Sequence, residues 1–163
     1  MSRIYSIPFN GTITAAGTDT DIWSLQPADD KPIILRGFTL GQTSEISDTG
    51  EENLRITVKY LPATFTVGSG GSAVTAVAPP YEPGGSVWSF TARTNDTTVA
   101  TSSGTVLIRD EFGWNVRNTP YERWYPDERF ATYAAQATGI IIRCESTVTD
   151  DITFSGVAFV EEL

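Results

Sequence analysis

Residues 66–85 read TVGSGGSAVTAVAPPYEPGG, and glycines at that density raise the question of a backbone cradle for phosphate. A phosphate loop needs G-x-x-x-x-G-K-[ST] between a strand and a helix, so that the lysine reaches the anion. Here Ser72, Ala73 and Val74 follow the glycines, no helix signal comes after them, and the nearest cations are Lys59 and Arg93. The stretch does not fit phosphate. The chain has no histidine. That removes Ser-His-Asp and Cys-His activation of a nucleophile, and histidine ligation of a metal. Acid–base work would fall to carboxylates: Asp110 with Glu111, Glu122 with Asp127, or Asp127 with Glu128. Glycosidases use two such groups across the scissile bond, and Tyr121, Trp124, Tyr125 and Phe130 are spaced to hold a sugar. Neighbouring carboxylates are also common in any acidic chain, and the expectation is that the protein is not an enzyme. Cys144, in the apolar run GIIIRCE, reads as a core thiol with no base to activate it. Asp19-Thr20-Asp21, the run 48–52 and Asp150-Asp151 are oxygen-rich turns. None has the spacing of an EF-hand loop, and Asp favours turns for local hydrogen-bonding reasons. The expectation is therefore no catalytic residue, no metal and no cofactor.

The bulk properties narrow the partners. The chain has 163 residues and a formal net charge of −9. An excess of negative charge is repelled by phosphate backbones, so nucleic acid is not expected as a partner. No run reaches the roughly 18 apolar residues of a membrane helix, so no membrane partner is expected either. The first residues, MSRIYSIPFNG, lack the apolar core of a secretory signal, and the N-x-[ST] matches at Asn10 and Asn95 are read as coincidental.

The elements that would position these residues read as strand, turn, strand almost throughout. RIYSIPF, Asn10-Gly11 and TITAAG suggest a hairpin with a type I′ turn, and Pro8 suggests an edge strand. DIWSL (21–25) is a short strand, and PIILRGFTLGQ (32–42) is long and apolar enough to lie centrally. In NLRITVKYL (53–61), Leu54, Ile56, Val58 and Tyr60 alternate with Arg55, Thr57 and Lys59, which predicts one face inward and one in water. SVWSFTA (86–92) and TVLIRDEFGWNV (105–116) are further strands, the latter with Gly113 as a candidate bend or bulge. GIIIRCESTV (139–148) and ITFSGVAFVEE (152–162) close the chain. The sum is an all-β, antiparallel β-sandwich of about eight strands, jelly-roll-like, in a single domain over 1–163. It carries a long loop at about 66–86 and an irregular aromatic excursion at about 118–138, in which 127–137 has some helical character.

The loop divides into a flexible part, Gly68 to Ser72, and an apolar, proline-stiffened part. An apolar loop either folds back on its own domain or packs on a neighbour. Tyr121, Arg123, Trp124 and Tyr125 have the composition of a buried interface anchor, or of a cap on one end of the sandwich. Interface candidates are therefore Val74, Val77, Pro79, Pro80, Tyr81, Tyr121, Arg123, Trp124 and Tyr125.

Three stretches, PADDKPIILRGFTLGQTSEISDTGEENLRITVKYLP, the GSGGSAVT loop and the closing FVEEL, resemble small structural proteins of tailed bacteriophages. The pattern is similar to that of capsid decoration or minor capsid proteins encoded beside the major capsid protein, and it spans most of the chain. The resemblance implies a virion location and partnership with the major capsid protein or other virion proteins. It also implies a homo-oligomer, with a trimer favoured, and contact through residues 73–83. It brings no defined functional residues. A carbohydrate- or receptor-binding module of a head or tail fibre is the alternative, with Trp124 and Tyr125 stacking on a sugar.

Overall fold

The computed structural model describes residues 3–15, 17–44, 52–77, 88–117, 120–126 and 137–163. Ten strands run through them: β1 (Arg3–Ile13), β2 (Thr20–Gln26), β3 (Ile33–Gln42), β4 (Asn53–Leu61), β5 (Ser72–Val74), β6 (Thr91–Asp96), β7 (Leu107–Asn115), β8 (Tyr121–Trp124), β9 (Gly139–Cys144) and β10 (Ile152–Glu162). Every ladder is antiparallel. One sheet has the order β1-β10-β3-β8 and the other β5-β6-β2-β9-β4-β7. Apart from the β5–β6 pair, the chain changes sheet at every step except β4 to β7. The order β1-β10-β3-β8 thus faces β2-β9-β4-β7, which is the winding of an eight-stranded jelly roll. The expected jelly-roll-like sandwich is what the chain forms, and β5 and β6 widen its second sheet beside β2.

The inner faces supply one core. From the first sheet come Tyr5, Ile7, Phe9, Leu35, Phe38, Phe154 and Val160; from the second come Trp23, Leu25, Ile56, Val58, Trp114 and Ile142. Each such side chain contributes about 1.5–3 kcal/mol when removed from water. Cys144 is a fully buried free thiol in this core, and burial pushes its pKa up to about 11.

Several local expectations are overturned. Asn10-Gly11 is no turn: β1 runs straight through it, with Asn10 opposite Ser155 and Gly11 opposite Phe154. Eleven continuous pairs with β10 outweigh the local preference of Asn-Gly. The glycine serves close approach instead, since a Cβ at residue 11 would sit 2.4 Å from the Cβ of Asn95. Pro8 does lie on an edge strand. Two residues before it, the amide of Ser6 donates to Val77 O (3.2 Å) and the amide of Val77 donates to Ser6 O (2.8 Å) across that edge. Proline has no N–H with which to extend this pairing.

The strand expected at 86–92 begins only at Thr91. Its early residues are held elsewhere: Ser89 donates through its amide (3.0 Å) and its hydroxyl to Glu162, and Phe90 packs edge-on against Tyr5. Gly113 is not the irregular residue of β7, for it pairs in register with Arg55. The register shifts instead between Val58 and Lys59, leaving Arg109 unpaired in the ladder, with its guanidinium 5.5 Å from the centre of the Tyr60 ring. The alternation in β4 is as read, but its outer face is not all in water: Thr57 and Lys59 are buried. Residues 61–66 and 98–101 lie over that face, linked by paired hydrogen bonds between Thr66 and Thr101. Leu61, Phe65, Ala100 and Ile141 form a second, smaller core there.

Candidate functional site

The glycine-rich stretch resolves into close backbone packing. Ser69 and Thr98 exchange amide hydrogen bonds (both 2.9 Å), and β5 pairs with β6. Gly70 adopts φ +93°, a region that costs glycine little. A Cβ on Gly71 would lie 2.0 Å from Thr94 O. The amide of Gly71 donates to Asp96 Oδ1 (3.1 Å), and Arg93 holds the same carboxylate through Nε and Nη2. These residues hold the loop to its own sheet. Val74 is half-buried against the core, and Ala76 lies within it. Val77 is 58% exposed. Pro79, Pro80 and Tyr81 lie outside the described residues.

The aromatic stretch divides between two faces, because β8 is a strand and its side chains alternate. Tyr121, Arg123 and Tyr125 turn toward the opposing sheet. Tyr121 stacks on Phe112 with ring centres 4.0 Å apart and planes 4° from parallel. Arg123 donates from Nε to Asp110 Oδ2 (2.8 Å) and from Nη2 to Asp110 Oδ1 (3.1 Å). The Tyr125 hydroxyl donates to Asp110 Oδ2 (2.9 Å), and its ring packs near Phe38. Burial first, then the Asp110 charge, raises the Tyr125 pKa far above the usual phenol range. β7 and β8, at the margins of the two sheets, are thereby fastened to each other through Asp110. Trp124 points the other way, is 57% exposed, and stacks on Phe159 with ring centres 5.0 Å apart. The four residues named together from the sequence are thus not one surface, and Tyr125 is too buried to stack on a sugar.

The proposed acid pairs fare similarly. Asp110 and Glu111 are neighbours in a strand and point to opposite faces, Asp110 to Arg123 and Glu111 to Arg55 (Nε to Oε1, 2.7 Å). The Arg55 hydrogen bond lowers the Glu111 pKa. Glu122 is exposed beside Trp124, while Asp127, Glu128 and Phe130 lie outside the described residues. A hollow of about 280 Å³ lies over Gly113, lined also by Asn53, Leu54, Arg55, Glu111 and Phe112. Its one carboxylate is the one Arg55 already holds. Of the oxygen-rich turns, Asp151 Oδ1 accepts from Ala15 N (2.7 Å) and Glu52 Oε1 accepts from Thr149 N (2.6 Å). Among the described residues, no three Asp, Glu or Cys side chains gather as a metal would require.

One charged pair escaped the reading of the sequence. Asp21 of β2 is buried, accepting from Arg143 Nε (2.6 Å) and Nη2 (3.3 Å) of β9 and from Ala100 N (2.6 Å). Arg143 Nη2 also donates to Ala100 O (2.8 Å). The pair clasps the segment around Ala100 onto the outer face of the sheet. Burial raises the Asp21 pKa despite Arg143 beside it. The available signal was one acid in TDIWSL and one base in GIIIRC, single opposite charges in two otherwise apolar strands. Lys59, Glu145, Arg55 and Glu111 continue the charged row along the same face. Comparison with known proteins adds no relative: no family model, no curated protein and no solved structure matches the chain.

Proposed function

We propose that this chain is a non-enzymatic structural protein of a bacteriophage virion that decorates or stabilises the capsid. The observation that carries the reading is the use to which the carboxylates of the sheets are put. Of the candidate acids, Asp110 and Glu111 are each bound to an arginine, and so are Asp21, Asp96 and Glu161 elsewhere in the sheets. They bridge strands or hold loops against the sheets, which suits a rigid building block. Jelly rolls serve in viral capsid and lectin domains, a fold-level analogy that supports the same reading. So does the resemblance of the sequence to phage decoration proteins.

The partner on this reading is the major capsid protein or another virion protein, and the protomer joins others of its kind, with a trimer favoured. Val77 is the exposed large apolar residue of the described part of the 73–83 loop, and it sits on the outer edge of β1, not within the core, where it can make a subunit contact. Removing residues 73–83 wholesale is a poor test, since Ala76 is part of the core. Val77→Asp is the cleaner change. Light scattering should give a mass near three chains for the parent and a smaller mass for the variant, with both retaining the same far-ultraviolet β spectrum. A parent that is one chain at every concentration, and that fails to sediment with purified capsids, would sink the proposal.

A further inference from the structure

We propose that the outer face of the β1-β10-β3-β8 sheet carries a binding site for an uncharged carbohydrate, with Trp124 as its stacking platform. The site is built by a row of three residues across the sheet: Phe159 of β10, Gly37 of β3 and Trp124 of β8, paired in register. Gly37 is what lets the outer two meet. A Cβ there would lie 2.7 Å from the indole Cε3 of Trp124 and 2.4 Å from Arg123 O. With no side chain between them, the indole lies against the Phe159 ring, 27° from parallel. β8 is the last strand of its sheet, so among the described strands no neighbour stands beyond Trp124. Its rotamer is fixed by the Phe159 stack while more than half of its surface meets solvent.

Size, neighbours and charge all favour a sugar as the occupant. Trp124 and, at the far edge of the sheet on β1, Ile4 are the large apolar side chains of this sheet that are widely exposed, and Phe159 and Val157 beside Trp124 are half-buried. A stable protein contact needs about 800 Å² from each partner with an apolar centre, far more than one indole provides. A single pyranose ring covers a patch of this size, and its C–H face suits the negative face of an aromatic ring. On the same face, Thr39 of β3 is paired with Glu122 of β8. Glu122, two residues before Trp124 on its face, is an exposed acceptor for sugar hydroxyls. The net charge of −9 disfavours anionic glycans and phosphate esters. The proposal does not depend on assembly or on capsid attachment, so it stands or falls separately from the virion role.

The indole N–H resonance of Trp124 reads the site directly. The ¹⁵N-labelled protein should be titrated with uncharged tetrasaccharides of β-1,4-glucose, α-1,4-glucose and β-1,4-N-acetylglucosamine. At least one should shift the Trp124 indole saturably while leaving the buried indoles of Trp23 and Trp114 in place. Trp124→Ala should weaken that binding at least tenfold, with Trp124→Phe falling between the two, since a phenyl ring can still stack on Phe159. Glu122→Gln should weaken it less than Trp124→Ala. If none of the three probes moves the Trp124 indole, the proposal is wrong. It is equally wrong if binding survives unchanged in Trp124→Ala, or if only sialylated or sulfated glycans bind.

Discussion

Arg143→Met tests whether the charged pairs hold this sandwich together. The native guanidinium makes two hydrogen bonds to Asp21 and one to Ala100 O. Methionine keeps much of the aliphatic volume and removes all three. Asp21 is then left in the same buried position with the Ala100 amide as its remaining partner in this cluster. Removing one member of a buried ion pair costs about 3–5 kcal/mol, chiefly because the other charge stays buried without its partner. The Arg143 side chain is 12% exposed, so some water can reach the gap, and the lower end, about 3 kcal/mol, is expected. For a chain of this size that lowers Tm by about 6–12 °C. The pH dependence gives a second, independent reading. The folded Asp21 pKa already lies above its unfolded value because of burial. An acid with a raised folded pKa contributes most to stability below its unfolded pKa and loses that contribution as pH rises through the folded pKa. Without Arg143 the folded pKa moves higher still, so the cost of Arg143→Met should be largest at neutral pH and shrink on acidification. Asp21→Asn, a neutral isostere of the protonated acid, should cost less than Arg143→Met at pH 7. Urea unfolding of the three proteins between pH 4 and 8 measures all of this. A cost below about 1 kcal/mol at pH 7, or one that does not fall with acid, would refute the reasoning.

Other residues give shorter tests. Asn10→Ala should change stability by no more than about 0.5 kcal/mol, because the neighbouring Thr94 hydroxyl uses the Asn10 carbonyl, whereas Gly11→Ala should cost about 1–3 kcal/mol through its clash with Asn95; thermal melts of the pair distinguish strand from turn. Tyr125→Phe should cost about 1.5 kcal/mol through loss of the hydrogen bond to Asp110. In an alkaline absorbance titration, Tyr125 of the parent should stay protonated after exposed tyrosines have ionised, with the missing signal appearing only on unfolding. Cys144, buried and with its pKa raised to about 11, should resist a thiol reagent at pH 8 in the folded protein and react once the chain is unfolded in urea.

The parts legible in the sequence are those where local pattern and tertiary demand agree. β3, β4, β9 and β10 announce themselves by apolar runs and strict alternation, and four such strands with frequent turns already imply a sandwich. Asn10-Gly11 misleads because turn propensity is local, while the register that overrides it comes from β10, some 145 residues away along the chain. Thr57 and Lys59 mislead because alternation shows that a face differs from its opposite, not whether a loop from elsewhere covers it. β8 was hidden among prolines and aromatics because it is four residues long and its inward members are Tyr121 and Arg123, not aliphatic residues. At the site, Trp124 was visible as a surface aromatic, but its partner was not. Nothing in GFTLG or VAFVE reveals that Gly37 and Phe159 will stand in one row with it.

The most direct test of the proposed virion role is the protein inventory of virus particles purified from cells that express this chain. Quantitative mass spectrometry should find it in many copies, in fixed proportion to the major capsid protein, and released from the shell as an oligomer. Its absence from intact particles, with the major capsid protein present, would contradict the account.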